Sequence, residues 1–472
     1  MDATQLSQDL PESAMWLNAP PATLMHFQGR PLVVAFVNAA SRWCSQRLQE
    51  LQQWQARHPG RLQLVVVQVP RFDFERDGQR SLALLAQDGI QAPVLLDTGW
   101  EAWRRFAVDS WPTLVMIDSS SREVERLVGL GQPLEPALSS LCQGVKPASS
   151  ALDKLQLLAV STAGHELRHP RGLQVSQDRL YIADTGKHRV LECNHHGRIL
   201  RQFGMGTADW ADGSSDVAAF NRPHGLVLGH GHLYVADTGN HAIRRINVLS
   251  GQVDTLIGTG KAGTPREGVL AQAADSQLQQ PSALALLDNQ LLLAMTGDNQ
   301  VWSYDLGSRQ LACRAGSGAL ELRDGSGPMA AFAQPVALTT MDGTLYVCDA
   351  LSSAVRSLQL RGGLVQTVVG QGLWQHGLVD GNRAQALLQF PQSVAADADA
   401  HLLWVADAGN GKLRRIKLPG AQVTSVALDR PLYGASAIAV QAGVVWIADS
   451  EGCAVLRYDP ATGELADIPI GQ

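Results

Sequence analysis

The stretch LYVADTGNHAIRR, which runs from Leu233 to Arg245, recurs throughout the second part of the chain. It joins a short apolar strand to a turn of the form Asp-x-Gly, and a strand carrying arginine follows. Such self-similarity is the strongest indication of architecture that a sequence offers, because each copy forms the same local structure. Six copies are present, and they begin at Leu180, Leu233, Leu291, Leu345, Leu403 and Val445.

The spacing of the copies indicates how many strands each one contains. The aspartate of the turn falls at positions 184, 237, 349, 407 and 449, and Met295 replaces it in the third copy. The intervals are 53, 58, 54, 58 and 42 residues, and each holds an opening strand before the repeated phrase and two strand-like runs after its turn. Four short strands repeated six times predict a six-bladed β-propeller over residues 155–472.

Residues 1–145 follow another pattern, in which strand-like and helix-like segments alternate. The apolar run PLVVAFVN at 31–38 is typical of a buried strand, and the segment 44–57 has apolar residues at helical spacing. This alternation predicts a layered α/β domain, and the polar stretch 146–154 predicts a linker to the propeller. Further strands are predicted at 62–69, 93–97, 113–117 and 123–128, and further helices at 81–87, 100–106 and 134–141.

Charge and composition exclude several classes of function. The 472 residues carry a formal net charge of −6, and both parts of the chain lack the positive excess of a nucleic-acid binder. Six cysteines without a Cys-x-x-Cys exclude a zinc ribbon. The apolar runs are well short of the ~20 residues of a membrane helix, and the acidic N-terminus lacks a signal peptide pattern. We therefore expect a cytoplasmic protein without nucleic-acid or membrane contacts, and without metal or cofactor.

Two sets of motifs resemble known families. The repeat from His224 to Arg245 resembles the NHL repeat, and residues 1–145 resemble a thioredoxin-like domain. The two in this order resemble the family of NHL repeat-containing protein 2 over nearly the whole chain. The resemblance implies a thioredoxin-like α/β domain followed by an all-β six-bladed NHL propeller. The thioredoxin-like motifs are Trp16-Leu17-Asn18, Phe36 at a strand end, Trp103-Arg104-Arg105-Phe106, and Trp111-Pro112-Thr113.

The resemblance implies a redox site, which this sequence does not complete. Thioredoxin-like domains place Cys-x-x-Cys at a helix N-terminus, where the helix dipole favours the thiolate. Counting from Phe36 puts Ser41 at the position of the attacking cysteine and Cys44 at that of the resolving one. Because a single sulfur cannot close an intramolecular disulfide, dithiol exchange cannot run. An alternative alignment makes Cys44 the attacking residue, with Trp43 before it and Arg47 at the resolving position, which leaves a monothiol.

Both positions also have plain structural interpretations. Cys44 would then be a buried thiol in a helix, and Ser41 would be the N-cap of that helix.

Pro112 matches the cis proline that faces the active loop of thioredoxin-like domains, and the alternative is a trans proline that opens a strand. The resemblance implies a peptide-binding groove formed by Trp43, Trp111, Pro112 and Thr113.

Several other motifs are expected to be structural. His165-Glu166-Leu167-Arg168-His169 spells the HExxH zinc motif, but Pro170 disfavours the helix that this motif needs. We expect His188 and His241 to be turn residues, and the repeated aspartates to accept hydrogen bonds from turn amides. We expect the arginines of the third strands to be partnered surface charges. The residues that follow the blade-opening positions supply no metal ligand set, and they are Arg171, His224, Ser282, Val336, Gln392 and Ser436.

Together these observations favour a scaffold that binds proteins or peptides over an enzyme. A propeller presents many loops on a rigid ring, which suits recognition. The alternative is thiol-disulfide oxidoreductase or monothiol exchange activity through Cys44.

Overall fold

A computed structural model describes residues 9–147 and 164–471, and these fall into two compact units, one within Met1–Ser161 and one within Thr162–Gln472. The predicted linker over 146–154 lies outside the described residues from residue 148 onward, as does the predicted start of the propeller at 155. The domain boundaries therefore stay predictions. In the described ranges, no helix combines the length and apolar character needed to cross a membrane.

The first unit is a mixed sheet flanked by helices. Its strands are β1 (Met15–Trp16), β2 (Leu32–Val37), β3 (Gln63–Gln68), β4 (Val94–Leu96), β5 (Thr113–Ile117) and β6 (Glu123–Val128). Its helices are α1 (Arg42–Arg57), α2 (Gly78–Gln87), α3 (Glu101–Arg105) and α4 (Leu134–Leu141). The strand order is β1-β4-β3-β2-β5-β6, in which β2, β3 and β4 are parallel and the other pairings are antiparallel.

Both faces of this sheet are buried, which explains the continuous apolar run of β2. Val33, Ala35 and Val37 pack with α1 and α4 on one face. Leu32, Val34 and Phe36 face the opposite cluster, which includes the aromatic residues around α3. Parallel strands covered on both sides read as unbroken hydrophobic sequence, as the segment 31–38 does.

The second unit is a six-bladed β-propeller, as predicted. Blade 1 contains β7 (Gly172–Val175), β8 (Leu180–Asp184), β9 (Arg189–Cys193) and β10 (Ile199–Phe203). Blade 2 contains β11 (Pro223–Gly229), β12 (His232–Asp237), β13 (Ala242–Asn247) and β14 (Val253–Gly258). Blade 3 contains β15 (Gly268–Val269), β16 (Pro281–Leu287), β17 (Gln290–Met295), β18 (Gln300–Asp305) and β19 (Gln310–Ala315). Blade 4 contains β20 (Gly325–Ser326), β21 (Pro335–Met341), β22 (Thr344–Asp349), β23 (Ala354–Gln359) and β24 (Leu364–Val369). Blade 5 contains β25 (Ser393–Asp397), β26 (Leu402–Asp407), β27 (Lys412–Lys417) and β28 (Gln422–Ser425). Blade 6 contains β29 (Ala435–Gln441), β30 (Val444–Asp449), β31 (Ala454–Asp459) and β32 (Glu464–Ile468).

Each blade is a sheet of strands that are consecutive in the sequence, so blades 1 and 6 share no strand. The ring is closed by contacts between the C-terminal tail and blade 1. Gly471 forms a parallel bridge with Arg198, and its carbonyl accepts a hydrogen bond from the Ile199 amide at 2.7 Å. The Gly471 amide donates to the Gly197 carbonyl at 3.0 Å. The ring is therefore closed by the C-terminal tail, which removes the exposed sheet edge that an open array would present.

Candidate functional site

The loop between β2 and α1 contains the predicted redox positions. Ser41 occupies the N-cap position of α1, but its side chain makes no capping hydrogen bond to the helix. Ser41 is 8% exposed, and its side chain is close enough to the Cys44 thiol to lower the pKa of that thiol. Ser41 therefore lies near the thiol, at the position where a Cys-x-x-Cys motif would carry its first sulfur.

Cys44 is enclosed by protein. Its side chain is 1% exposed, and its sulfur accepts a hydrogen bond from the Asn38 amide at 3.3 Å. Burial raises the pKa of the thiol to about 12. Because the thiolate is the nucleophilic form of cysteine, the group is protonated and shielded at neutral pH.

Glu75, which was not predicted from the sequence, holds the same loop in place through hydrogen bonds. It is fully buried, and burial raises the pKa of its carboxyl group. Five N–H groups point at its two oxygens, so both oxygens act as acceptors and the carboxylate joins the loop after β2 to the loop after β3. The donors are Asn38 Nδ2 (2.8 Å), Gln68 Nε2 (3.3 Å) and the backbone amides of Ala40 (3.2 Å), Arg71 (2.9 Å) and Phe72 (3.0 Å).

The predicted groove residues lie at the same end of the sheet as this loop. Phe36 at the end of β2 pairs with Thr113 at the start of β5, so Pro112 is beside the loop that leads to Ser41. The peptide bond between Trp111 and Pro112 is cis. Trp111 is half-buried, and its ring lies 5.4 Å from Trp100 and 4.8 Å from Trp103, centroid to centroid.

Two further residues named from the sequence lie on α1. Trp43 is half-buried in the first turn of the helix. Arg47 is 2% exposed and forms an ion pair with Glu50 at 2.9 Å. Its Nη2 atom also donates to the Gly129 carbonyl at 2.7 Å, which ties α1 to the loop after β6. These contacts account for Arg47 as a structural residue.

In the propeller, three arginines of the third strands are fully buried, so the expectation of surface charges is wrong for them. Arg244 donates to Asp237 at the end of β12 at 3.0 Å and to Asp212 in the loop between blades at 2.6 Å. One guanidinium thus fixes an interblade loop to a strand, with the bidentate capacity that lysine lacks. Arg414 forms the equivalent set with Asp407 and Asp380, and Arg356 pairs with Asp324 at 2.9 Å and with Asp349 at a longer 3.7 Å.

The strand-end aspartates bond to the interblade loop as well as to the turn. Asp237 accepts its backbone hydrogen bond from Asn221, in the loop before the blade, at 2.8 Å. Asp184 and Asp407 accept in the same way from Arg168 and Gln389, both at 2.7 Å. The aspartates therefore hold the interblade loop, and Asp237 and Asp407 also accept from the side-chain amides of the turn residues Asn240 and Asn410, both at 2.8 Å.

His188 and His241 are turn residues that link neighbouring blades. Each has a positive φ, and its Nδ1 accepts a hydrogen bond from the residue that opens the next blade, Arg222 at 3.1 Å and Gln280 at 3.2 Å. Burial is the largest cause that lowers the pKa of each imidazole to about 4, so both are neutral acceptors at pH 7. Asn299 and Ser353 accept equivalent bonds from the backbone amides of Gln334 and Phe390.

The HExxH sequence forms no helix. His169 has a φ of 50° and its Nδ1 lies 3.2 Å from the Ser450 carbonyl, while Glu166 pairs with Arg189 at 2.7 Å. Across residues 9–147 and 164–471, no group of three or more His, Cys, Asp or Glu side chains is arranged to hold a metal ion.

Blade 3 lacks the buried ion pairs. Met295 stands at the aspartate position, and Trp302 stands at the arginine position, opposite Leu293 in the register. Asp298 occupies the turn position at which Asn240 and Asn410 donate hydrogen bonds. Its Oδ2 is buried without a hydrogen-bond partner among the described residues, and burial raises the pKa of the carboxyl group to about 7.

The chain is similar to known proteins over most of its length. Residues 220–246 match the NHL repeat family. The chain is 29% identical over 523 residues to NHL repeat-containing protein 2 of Gallus gallus, which covers 99% of this chain and 71% of that protein. It is 29% identical over 459 residues to the Homo sapiens protein of the same name, covering 89% of this chain and 63% of that protein. The chain thus spans about two thirds of the length of these relatives. Among solved structures, virginiamycin B lyase from Staphylococcus aureus is 14% identical, covers 64% of this chain and 85% of that one, and superposes with a TM-score of 0.41.

Proposed function

We propose that this chain, which is similar over most of its length to NHL repeat-containing protein 2, is a scaffold that binds proteins or peptides. In this proposal a thioredoxin-like domain has kept its architecture and lost dithiol chemistry. The observation that carries the proposal is that Ser41, a residue without sulfur, lies at the start of α1 near a Cys44 thiol that is 1% exposed. A thioredoxin-like site needs an exposed thiolate there and a second sulfur beside it.

The sheet supports the assignment of a thioredoxin-like fold. Three parallel strands form its centre, β5 and β6 form an antiparallel hairpin beside them, and α4 follows the hairpin. The loop that carries Ser41 and the start of β5 lie side by side, as a peptide-binding groove of that fold requires. Fold alone does not specify activity, so function is argued from the residues of the site.

Monothiol exchange through Cys44 is the second candidate, and two observations count against it. The sulfur is buried, and the raised pKa of the thiol leaves it protonated at neutral pH. Arg47, which would occupy the resolving position, is bonded to backbone carbonyls and to Glu50. Neither residue is presented to a substrate.

Aromatic side chains supply the recognition surface in this proposal. Trp43 and Trp111 are half-buried near the groove, and amphipathic rings of this kind are enriched at protein interfaces. On the propeller, Trp210 and Trp374 are 40% and 59% exposed in the loops between blades. The cysteines in the described ranges are free, which suits a reducing compartment, and we place the protein in the cytoplasm.

The Ser41→Cys variant tests the proposed site. If residue 41 holds the attacking position, the introduced thiol should form a disulfide with Cys44 under mild oxidation, detected by loss of two thiols and by peptide mass. Ser45→Cys is the matched control, because its neighbouring position in α1 points away from Cys44 and forms no such bond. Absence of the disulfide in folded Ser41→Cys protein would overturn the assignment of this loop as a former redox site.

Binding is tested separately with affinity enrichment from cell extract. A partner retained by the intact protein and by Tyr433→Ala, which alters an exposed aromatic residue of the propeller, and lost from Trp43→Ala, supports recognition at the groove. Equal retention by both variants would place recognition elsewhere and contradict the proposed groove.

A further inference from the structure

The last strand of each propeller blade forms its outer edge, and in five blades another segment covers that edge. In blades 3 and 4 the short strands β15 and β20 pair with the outer strands β19 and β24. In blades 2 and 5 Gly213 and Gly381 form antiparallel bridges with the outer strands β14 and β28. In blade 1 the tail covers β10 through Gly471. An outer strand without a cover presents unpaired N–H and C=O groups along its free side.

Blade 6 has no such cover within residues 9–147 and 164–471, because its outer strand β32 pairs with β31 alone. The covers of blades 2 to 5 all come from the loop that precedes the blade, and these loops occupy 204–222, 259–280, 316–334 and 370–392. The loop before blade 6 occupies only 426–434, which accounts for the short interval of 42 residues between the last two repeats. The free side of β32 is therefore open to a further strand.

Carboxylates line this open edge. The strand β32 carries Glu464 and Asp467, both exposed, and no basic residue. Asp467 shares its one cation, Arg430 of the preceding loop, with the buried Asp449, at 2.8 and 3.6 Å. On the adjacent strand β31, Arg457 lies 3.7 Å from the carboxylate that ends that strand. Glu464 forms no ion pair in the part of the chain that the structure describes, so the edge carries uncompensated negative charge.

A second copy of this chain fits the edge poorly. Two β32 strands paired antiparallel about their central residue, Ala466, would bring four carboxylates into one ladder, and like charges on paired strands destabilise a sheet. A strand with basic residues three positions apart would instead meet Glu464 and Asp467 with opposite charges. Because β32 has five residues, the edge accommodates a segment of about that length.

We propose that the outer edge of β32 binds an extended basic segment of a partner protein, which adds a fifth strand to blade 6. Backbone hydrogen bonds supply the affinity, as in other cases of strand addition, and the carboxylates of Glu464 and Asp467 select for basic side chains. This interface belongs to the propeller and is separate from the groove proposed for the first unit. A failure of either proposal therefore leaves the other standing.

Hydrogen exchange of the full chain, resolved by residue, tests whether the edge is open. Alternate amides of an edge strand point away from its one partner, so alternate amides of β32 should exchange at least about tenfold faster than the amides of β19 and β24 that are covered by β15 and β20. Slow exchange throughout β32 in the free chain would show that the edge is covered and would overturn the proposal.

The capped hexapeptide Thr-Lys-Val-Val-Lys-Thr is the probe for the partner, because its lysines are three positions apart, as Glu464 and Asp467 are. At saturation it should slow exchange of the outward amides of β32 by at least about fivefold. The same peptide methylated on every backbone nitrogen keeps the charges and cannot donate to a strand. The peptide Thr-Glu-Val-Val-Glu-Thr keeps the backbone and reverses the charges. Each control peptide should bind at least about tenfold more weakly.

A charge reversal on the chain tests the role of the carboxylates. Glu464→Lys should weaken binding of the lysine peptide at least about threefold. Asp399→Lys is the matched control, since it alters an exposed carboxylate in a turn of blade 5 and should leave binding unchanged. Thermal unfolding shows that both variants are folded.

Four binding results would overturn the proposal. They are absence of binding of the lysine peptide at millimolar concentration, equal binding of its methylated form, equal binding of the glutamate peptide, and undiminished binding to Glu464→Lys. The three peptides on the wild-type chain decide the matter even where a variant fails to fold. A dimer of the full chain that protects β32 from exchange would assign the edge to a second copy and would likewise contradict the proposal.

Discussion

Arg244 and Asp237 form an ion pair at 3.0 Å in which both side chains are fully excluded from solvent. The two residues lie on adjacent strands of blade 2, and the second guanidinium nitrogen reaches Asp212 in the preceding loop. The same arrangement in blades 4 and 5 makes these triads a repeated means of joining loops to blades.

We predict that Arg244→Met lowers the free energy of unfolding by about 3–5 kcal/mol, because it leaves the Asp237 carboxylate buried without its cation. Arg245→Met is the matched control, since the adjacent Arg245 pairs with Asp254 and both side chains are more than a third exposed. Loss of that exposed pair should cost less than about 1 kcal/mol. Chemical denaturation measures both values, and equal losses would contradict the role assigned to the buried triad.

His241 gives a second prediction, because its imidazole accepts the Gln280 amide at 3.2 Å and Asn299 performs the same role in blade 3. His241→Asn should keep the bond, whereas His241→Ala should lower the free energy of unfolding by about 1–3 kcal/mol through an unsatisfied buried amide. The ordinary pKa of 6.5 falls to about 4 on folding, so the unfolded state binds more protons between these values.

The wild-type chain should therefore lose stability as pH falls from about 6.5 to 4, and His241→Asn should lose less. Denaturation at pH 7.5 and 4.5 measures the difference. An identical pH dependence in the two proteins would show that His241 is not a neutral acceptor.

Asp298 carries the opposite pH dependence. Its carboxyl pKa rises from 3.8 to about 7 on folding, so the folded state holds more protons between these values and stability falls as pH rises through them. Asp298→Asn should raise the unfolding free energy at pH 8, and the gain should shrink toward pH 5. Asn410→Asp is the converse control and should destabilise, because Asn410 Nδ2 donates to Asp407 at 2.8 Å. A gain from Asp298→Asn that is constant across pH would contradict the raised pKa.

The closure of the ring can be tested at Gly197, whose φ is +87°. A Cβ atom there would lie 2.2 Å from the Pro469 carbonyl oxygen, so Gly197→Ala must displace the C-terminal tail. Gly443→Ala is the matched control, with a φ of +74° and no heavy atom within 4 Å of the added Cβ. Gly443→Ala should cost about 1–2 kcal/mol from backbone conformation alone. Gly197→Ala should cost measurably more and increase proteolysis of the tail, and equal thermal shifts would show that the tail does not close the ring.

The sequence predicts those features that arise from local pattern. The run PLVVAFVN becomes β2 over Leu32–Val37, and the repeats become six blades, because alternation and turn chemistry act over a few residues. The burial of Arg244 could not be read in this way. An arginine within a strand is typical of an exposed face, and its partner Asp212 lies 32 residues away in a loop.

The site shows the same limit. Ser41 and Cys44 can be placed from their spacing after Phe36, since the loop and helix are contiguous in the chain. Glu75 carries no such signal, because its donors Asn38 and Ala40 come from another strand end and meet it only in the folded sheet. Long-range hydrogen bonds to a single buried carboxylate leave no periodicity in the sequence.

Catalytic reduction of insulin by dithiothreitol tests the central claim most directly. The wild-type chain and Cys44→Ser should both leave the reaction at its uncatalysed rate, because the thiol is buried and has no sulfur partner at residue 41. Acceleration by the wild-type chain that disappears in Cys44→Ser would contradict it.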